Sequence, residues 1–239
     1  LPGLRRAHGV DVVIANGENA AGGVGITPEV ANELFAAGVD VLTGGNHSWR
    51  NREVYEFLDA EPRILRPANY PAGVPGRGAA VITAASGARL GVLNLQGRVF
   101  MADLEDPFRV GRELAVSLRA DTPVVIVDIH AEATSEKVAL GWYFDGHVSA
   151  VLGTHTHVQT SDERILPQGT AYITDVGMTG PYDGIIGMAR EIIIERFLTQ
   201  LPARFEVAAG RAQLNAVVVD VGDDGRAAAI ERVAIVETE

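Results

Sequence analysis

Two histidines stand two residues apart where an apolar run stops. Ala150–Leu152 is followed by Gly153, Thr154, His155, Thr156 and His157. The chain holds only 6 His in 239 residues, so the pair invites a chemical reading. Comparable breaks occur elsewhere. The run Val10–Asn16 leads to Glu18 and Asn19, the run Val39–Gly45 leads to Asn46 and His47, and "VVIVDI" ends at His130, with Glu132 just beyond. Imidazole, carboxylate and carboxamide, with no cysteine in the chain, form a nitrogen and oxygen donor set. Such a set suits Zn, Mn or Fe(II) better than soft metals. Two His at i and i+2 in a turning segment need not share a metal, so His155 and His157 can serve two ions side by side. Two-metal centres, with ions about 3.5–4 Å apart, suit in-line displacement at phosphorus. A single histidine after a strand is ordinarily only a hydrogen-bonded loop residue. Four of the six at strand ends, beside Glu and Asn, favour ligation.

The elements that must position these groups alternate along the chain. Val10–Asn16 is a nearly all-apolar run, as expected of a strand covered on both faces. Thr27 and Pro28 then read as the N-cap and first residue of a helix stopped by Gly38. Val39–Gly45 reads as a strand, and a helix is expected near Asn51–Leu58. The middle holds two strand-like runs around "ASGA" (85–88), a hairpin. Helices are expected over Pro107–Leu118 and Glu132–Phe144, and strands at "TPVVIVDIH", "VSAVLG" and Thr170–Asp175. "MAREIIIERFLTQL" has helical periodicity, and two alternating strands flank Asp223–Gly225 at the end. The opening "LPGLRRAHG" reads as the tail of a helix. Its non-Met start reads as a chain whose natural beginning lies upstream. No linker or repeat interrupts residues 1–239, which read as one domain: an α/β core with substantial antiparallel content. In open α/β sheets ligands bind at the carboxyl ends of the strands, where all the candidate residues fall. Gly17, Gly44, Gly45 and Gly153 flank them and let the chain turn sharply.

Other polar or aromatic residues have plainer readings. His8 and His147 read as surface residues, Trp49 and Trp142 as packing residues, and Asp103–Asp106 as a helix N-terminal charge cluster. Asp128, inside an apolar strand, is either a satisfied buried carboxylate or a partner that orients a histidine.

Composition narrows the partners. The net charge is -11 with no basic cluster, whereas long nucleic acids require clustered Lys and Arg. A small phosphorylated substrate remains compatible, because a bound metal supplies the positive charge. No apolar run is long enough to cross a bilayer and no signal-peptide pattern opens the chain. With the absence of Cys, this fits a cytoplasmic protein with no membrane partner.

The motifs "NGEN", "GGNHSW", "DIHAEATSEK" and "GTHTHVQT", in this order, resemble the calcineurin-like metallophosphoesterases, and most closely their YmdB-like branch. Glu18 in place of Asp and Thr154 before His155 are usual in that branch, and Thr174–Met188 is similar to its late loop. The resemblance implies a four-layer α/β/β/α sandwich and two divalent metal ions, of Fe, Mn, Zn or Mg. It implies that Glu18 bridges the ions, that Asn46, His130 and His155 bind one, and that His157 and Asn19 bind the other. His47 resembles the histidine that binds no metal, contacts the phosphate and assists the leaving oxygen. The implied activity is phosphodiester hydrolysis of small substrates, cyclic nucleotides of the 2′,3′ or 3′,5′ kind, by a cytoplasmic homo-oligomer. The family opens with an apolar strand ending in a metal-binding Asp. Residue 1 falls after that point, and Asp11 starts a strand rather than ending one. Either the sequence is a fragment, as its non-Met start favours, or the domain lacks the first strand, in which case the first ion should be held weakly. That departure favours the rival reading, a metal-binding regulatory module with an incomplete site. Ligand types alone also admit an amide or ester hydrolase.

Overall fold

A computed structural model describes residues 1–84 and 86–238. From the amino end come α1 (Pro2–His8), β1 (Ile14–Asn16), α2 (Pro28–Ala36), β2 (Val41–Thr43), α3 (Val54–Ala60), β3 (Ala79–Thr83) and β4 (Arg89–Gln96). The second half runs α4 (Pro107–Arg119), β5 (Val125–His130), α5 (Thr134–Phe144), β6 (Ala150–Thr154), β7 (Arg164–Ile165), β8 (Ala171–Ile173), β9 (Gly180–Pro181), α6 (Arg190–Thr199), β10 (Ala212–Val221) and β11 (Ala227–Val236).

A six-stranded sheet has the order β3-β4-β5-β6-β8-β7. Its centre, β4 through β8, is parallel, and β3 and β7 close the edges antiparallel. β1 and β2 form a parallel pair, and β11-β10-β9 a small antiparallel sheet. Side-chain alternation along the strands sorts the core into three clusters. Leu93, Leu95, Val125, Val127 and Ile129 face Leu118, Leu140 and Phe144 of α4 and α5. Val92, Ile126 and Ala150 point the other way, onto Ile14, Val41, Val219 and Ile230. Val13, Ala15 and Leu42 turn outward again, onto Ala31, Val54 and Leu58 of α2 and α3. The layers are thus helix, sheet, sheet, helix, as the resemblance implies. Burying a leucine or phenylalanine of these clusters contributes roughly 1.5–3 kcal/mol each.

The capping expectations hold. Thr27 accepts a hydrogen bond from Val30 N at 3.2 Å, with Pro28 in the first helical turn. Asp106 caps α4 through Phe108 N at 2.9 Å. α1 ends at Gly9, whose φ of 62° is left-handed.

Several elements differ from expectation. β1 starts at Ile14, not Val10, because the Asp40 carboxylate takes the Val13 N–H at 2.7 Å where a strand neighbour would. Arg5 holds the same carboxylate at 2.7 Å. α3 starts at Val54 rather than Asn51, because the Asn51 side chain is drawn to Ile26 O at 3.2 Å. β3 and β4 form the expected hairpin, whose residue 85 lies outside the described residues. β7 and β9, two residues each, carry no readable period. Trp49 packs on Tyr70, with ring centroids 4.5 Å apart. Trp142 does not pack as expected: it is 51% exposed, because α5 turns that face to solvent. Among the described residues no helix is long and apolar enough to cross a membrane.

Candidate metal centre

Parallel pairing brings the candidate groups to one edge. β1 and β2 run in register from Ile14↔Val41 to Asn16↔Thr43, so Glu18–Asn19 and Asn46–His47 emerge together. β5 and β6 pair His130 with Thr154, which places the His155–His157 turn beside His130. Two glycines permit the close approach. A Cβ on Gly45 would overlap the His130 ring, and one on Gly153 would overlap the carbonyl of Thr174.

His130 is the hub, with only 1% of its surface exposed. Its Nε2 lies 2.9 Å from Glu18 Oε2, 3.1 Å from Asn46 Oδ1 and 3.0 Å from His155 Nδ1. Its Nδ1 lies 3.0 Å from Thr154 Oγ1, and that hydroxyl donates to Asp128 Oδ1 at 2.7 Å. The tautomer follows. Thr154 has spent its proton on Asp128, so it accepts from His130 Nδ1–H. His130 Nε2 then faces a carboxylate oxygen, an amide oxygen and a second imidazole nitrogen. A single proton cannot satisfy all of these acceptors; a divalent cation can. The ligand atoms of Glu18, His130 and His155 all lie within 4.8 Å of one another. The donor chemistry therefore fits a borderline divalent ion.

Neighbours tune this group. Burial pushes the Glu18 carboxyl up, but hydrogen bonds from His130 and His47 outweigh it and hold it well below the usual carboxylate range. Burial and the proximity of His130 push His155 down to about 4, so its lone pair is available at neutral pH. The hydrogen bond to Glu18 raises the His47 pKa, against the effect of burial. Burial also pushes Asp128 up, against hydrogen bonds from Thr43, Thr154 and Asn16 and the attraction of His130. Both readings of Asp128 therefore hold: it is a satisfied buried carboxylate, and through Thr154 it orients a histidine.

His157 and Asn19 lie beside the hub rather than within it. His157 Nε2 is 3.4 Å from Asn19 Nδ2, and its Nδ1 is 3.1 Å from Ile186 O. His47 joins the two groups. Its Nδ1 lies 3.0 Å from Asn19 Oδ1 and 3.2 Å from Glu18 Oε1, and its backbone N–H donates to Glu18 Oε1 at 2.8 Å. The two loop histidines thus address different partners, which an extended segment, with i and i+2 on one face, would not allow. The segment is not extended: His155 has φ 95° and His157 φ 66°. Left-handed backbone costs a non-glycine residue roughly 1–2 kcal/mol, and it is this that splays the imidazoles.

Sequence reasoning placed Glu132 among the strand-end groups, just beyond His130, but gave it no specific role. Its Oε2 lies 3.1 Å from His155 Nε2, so it orients that imidazole while Nδ1 faces the hub. Its place two residues after His130 was the available signal. Thr154 was equally unassigned as a link, because a threonine ending a strand is unremarkable by type. A cavity of about 270 Å³ lies at the opposite end of the sheet, between Arg119, Gln168 and Arg226. A crevice of about 10 Å³ borders Glu18 and Thr43, so cavity size does not mark the chemistry here.

Comparison with known proteins bears on this geometry. A family described as "YmdB-like protein" matches residues 1–233. A Bacillus subtilis (strain 168) protein named 2',3'-cyclic-nucleotide 2'-phosphodiesterase is 53% identical over 236 residues, covering 98% of this chain and 89% of the relative. The crystal structure of a hypothetical protein from Thermus thermophilus superposes with TM-score 0.92 at 46% identity, covering 99% of this chain and 91% of that one. The crystal structure of a novel phosphatase from Mycoplasma pneumoniae gives TM-score 0.91 at 36% identity, covering 98% and 85%.

Proposed function

Because the chain belongs to the YmdB-like family, we propose that its activity is metal-dependent hydrolysis of small phosphodiesters, with 2′,3′-cyclic nucleotides as the preferred class. The observation that carries this reading is the convergence of Glu18 Oε2, Asn46 Oδ1 and His155 Nδ1 on His130 Nε2. Glu18, Asn46, His130 and His155 would hold one divalent ion, and Asn19 and His157 would contribute to a second next to Glu18. When bound, such ions polarise the phosphoryl oxygens and make water nucleophilic near neutral pH.

The chain's own groups do the rest. Glu132 and Thr154 would orient the two hub imidazoles so that His155 Nδ1 and His130 Nε2 face the centre. His47 has Nδ1 engaged by Asn19 and Glu18, which leaves Nε2 to meet the substrate. From there it can donate to the leaving sugar oxygen as charge develops. In a 2′,3′-cyclic phosphate the cleaved bond is that to the 2′ oxygen, leaving a 3′-phosphomonoester.

The same reading includes self-association. Phe197, at 73% exposure, and Leu198, at 80%, stand out on α6 with Ile194 and Leu201 beside them. Exposed apolar surface of this kind marks an interaction site, and we assign it to a second copy of the chain.

The test is chromatographic assay of 2′,3′-cyclic AMP against 3′,5′-cyclic AMP, before and after chelation and after return of Mn2+. The expected result is faster turnover of the 2′,3′ isomer, lost on chelation and restored by Mn2+. Absence of phosphodiester turnover with metal supplied, or turnover indifferent to chelation, overturns the reading.

A further inference from the structure

We propose that Lys137 and Asp175 are positioning residues that brace the histidine turn from below. The proposal rests on the metal-centre reading above and adds two residues that it leaves without a role. Lys137 lies on α5 and Asp175 just beyond β8, and their side chains are 0% and 1% exposed. The ion pair spans 2.9 Å. Burying two charges costs most of what their attraction returns, so such a pair is a weak stabiliser. Its surroundings suggest what it does instead.

Every polar atom of the pair is directed at the turn or its support. Lys137 Nζ donates to Thr154 O at 2.9 Å and lies 3.4 Å from Thr156 Oγ1. Asp175 Oδ2 accepts from Thr156 N at 3.0 Å and from Thr156 Oγ1 at 2.7 Å. Asp175 Oδ1 accepts from Gly177 N at 2.8 Å. Thr156 is the residue between the two histidines. The chain on either side is laced to the same support: Val176 N donates to Gly153 O at 2.9 Å and Met178 N to His157 O at 3.1 Å.

This bracing accounts for the backbone. His155 and His157 both occupy the left-handed region, at φ 95° and 66°. Such conformations persist only where surrounding structure over-determines them. Thr156 supplies that constraint: its backbone N–H and hydroxyl are both tied to one buried carboxylate, whose charge Lys137 balances. Without the brace the two histidines are free to return to extended backbone, and His155 Nδ1 leaves the hub.

The experiment is a Co2+ titration followed by visible absorption, with far-UV circular dichroism as the check on fold. The variants are the charge-neutral double substitution Lys137→Met with Asp175→Asn, and separately Thr156→Val and Thr156→Ser. Wild type should develop ligand-field bands on saturation. The double variant should keep the native dichroism but bind Co2+ at least tenfold more weakly, with a shifted band. Thr156→Val should move in the same direction, and Thr156→Ser, which keeps the hydroxyl, should restore the wild-type spectrum. A folded double variant with wild-type spectrum and affinity overturns the proposal. If the double variant does not fold, a wild-type result for Thr156→Val overturns it. Failure of the wild type itself to bind Co2+ instead refutes the metal-centre reading on which the brace rests.

Discussion

Thr154→Val tests whether one hydroxyl sets the protonation of the hub. Valine keeps the β-branched shape that suits the end of β6, so the change removes chemistry and little else. Two buried groups lose their partner: His130 Nδ1, 3.0 Å from the hydroxyl, and Asp128 Oδ1, 2.7 Å from it. Leaving a buried polar group unsatisfied costs about 1–3 kcal/mol, so the pair of losses amounts to roughly 2–6 kcal/mol. Asp128 Oδ2 still accepts from Thr43 at 2.5 Å and Asn16 at 3.1 Å, which favours the lower half of that range. Ion affinity should fall about 10–100-fold, the usual effect of losing the partner that orients a histidine ligand. Urea unfolding gives the first number, provided the slope m is unchanged, and calorimetric Mn2+ titration gives the second. Thr154→Ser keeps the hydroxyl and deletes one methyl, so it should cost only about 1 kcal/mol with near wild-type affinity. If Thr154→Val lies within about 0.5 kcal/mol of wild type, the usual spread of a neutral substitution, and binds Mn2+ equally well, the tautomer argument is wrong.

Three further outcomes are expected. His47→Ala should keep ion affinity, since His47 touches the group only through Asn19 and Glu18, but lose about 10²–10⁴ in kcat if it is the acid; unchanged turnover on 2′,3′-cyclic AMP refutes that role. Gly45→Ala should abolish Mn2+ binding measured by calorimetry, because the new Cβ occupies the space of the His130 ring; wild-type binding would show that the ring can move aside. Phe197→Glu combined with Leu198→Glu should convert an oligomer to a monomer in size-exclusion chromatography with light scattering, given the exposure of both side chains; a monomeric wild type refutes the assignment of α6 to self-contact.

The strand ends were legible because a polar residue after an apolar run is a local signal, and parallel pairing does the rest. Glu18, Asn46, His130 and His155 meet because β1 with β2 and β5 with β6 are in register. The sidedness of β5 was not legible. "VIVDIH" is buried throughout, so nothing in its hydropathy says that Val127 faces α4 while Ile126 faces Val41. The four layers came instead from the resemblance. The handedness of His155 and His157 was equally hidden, because spacing sets sequence distance and not the sign of φ. Its cause lies in Lys137 and Asp175, 18 residues before and 20 after the first of them. Trp142 was misread for a related reason: residue type records what a side chain can bury, not which face of α5 the sheet covers.

The site also has to attract an anion to a chain of net charge -11. A phosphodiester approaching the carboxyl ends of β1, β2, β5 and β6 meets Glu18, Glu132 and Asp128 near the hub. No arginine fork is hydrogen-bonded into this group among the described residues, so the residues alone offer a phosphate little. The acceptor convergence on His130 resolves the conflict. It concentrates negative potential where a divalent cation would be held, and such a cation would reverse the sign that a phosphate meets. Long polyanions gain nothing from this, because their affinity is built from many Lys and Arg contacts spread along a groove. A small diester needs only one strongly positive point and a donor beside it. On the proposed reading, the geometry of Glu18, His130 and His155, with His47 adjoining, would select for substrate size as well as for charge.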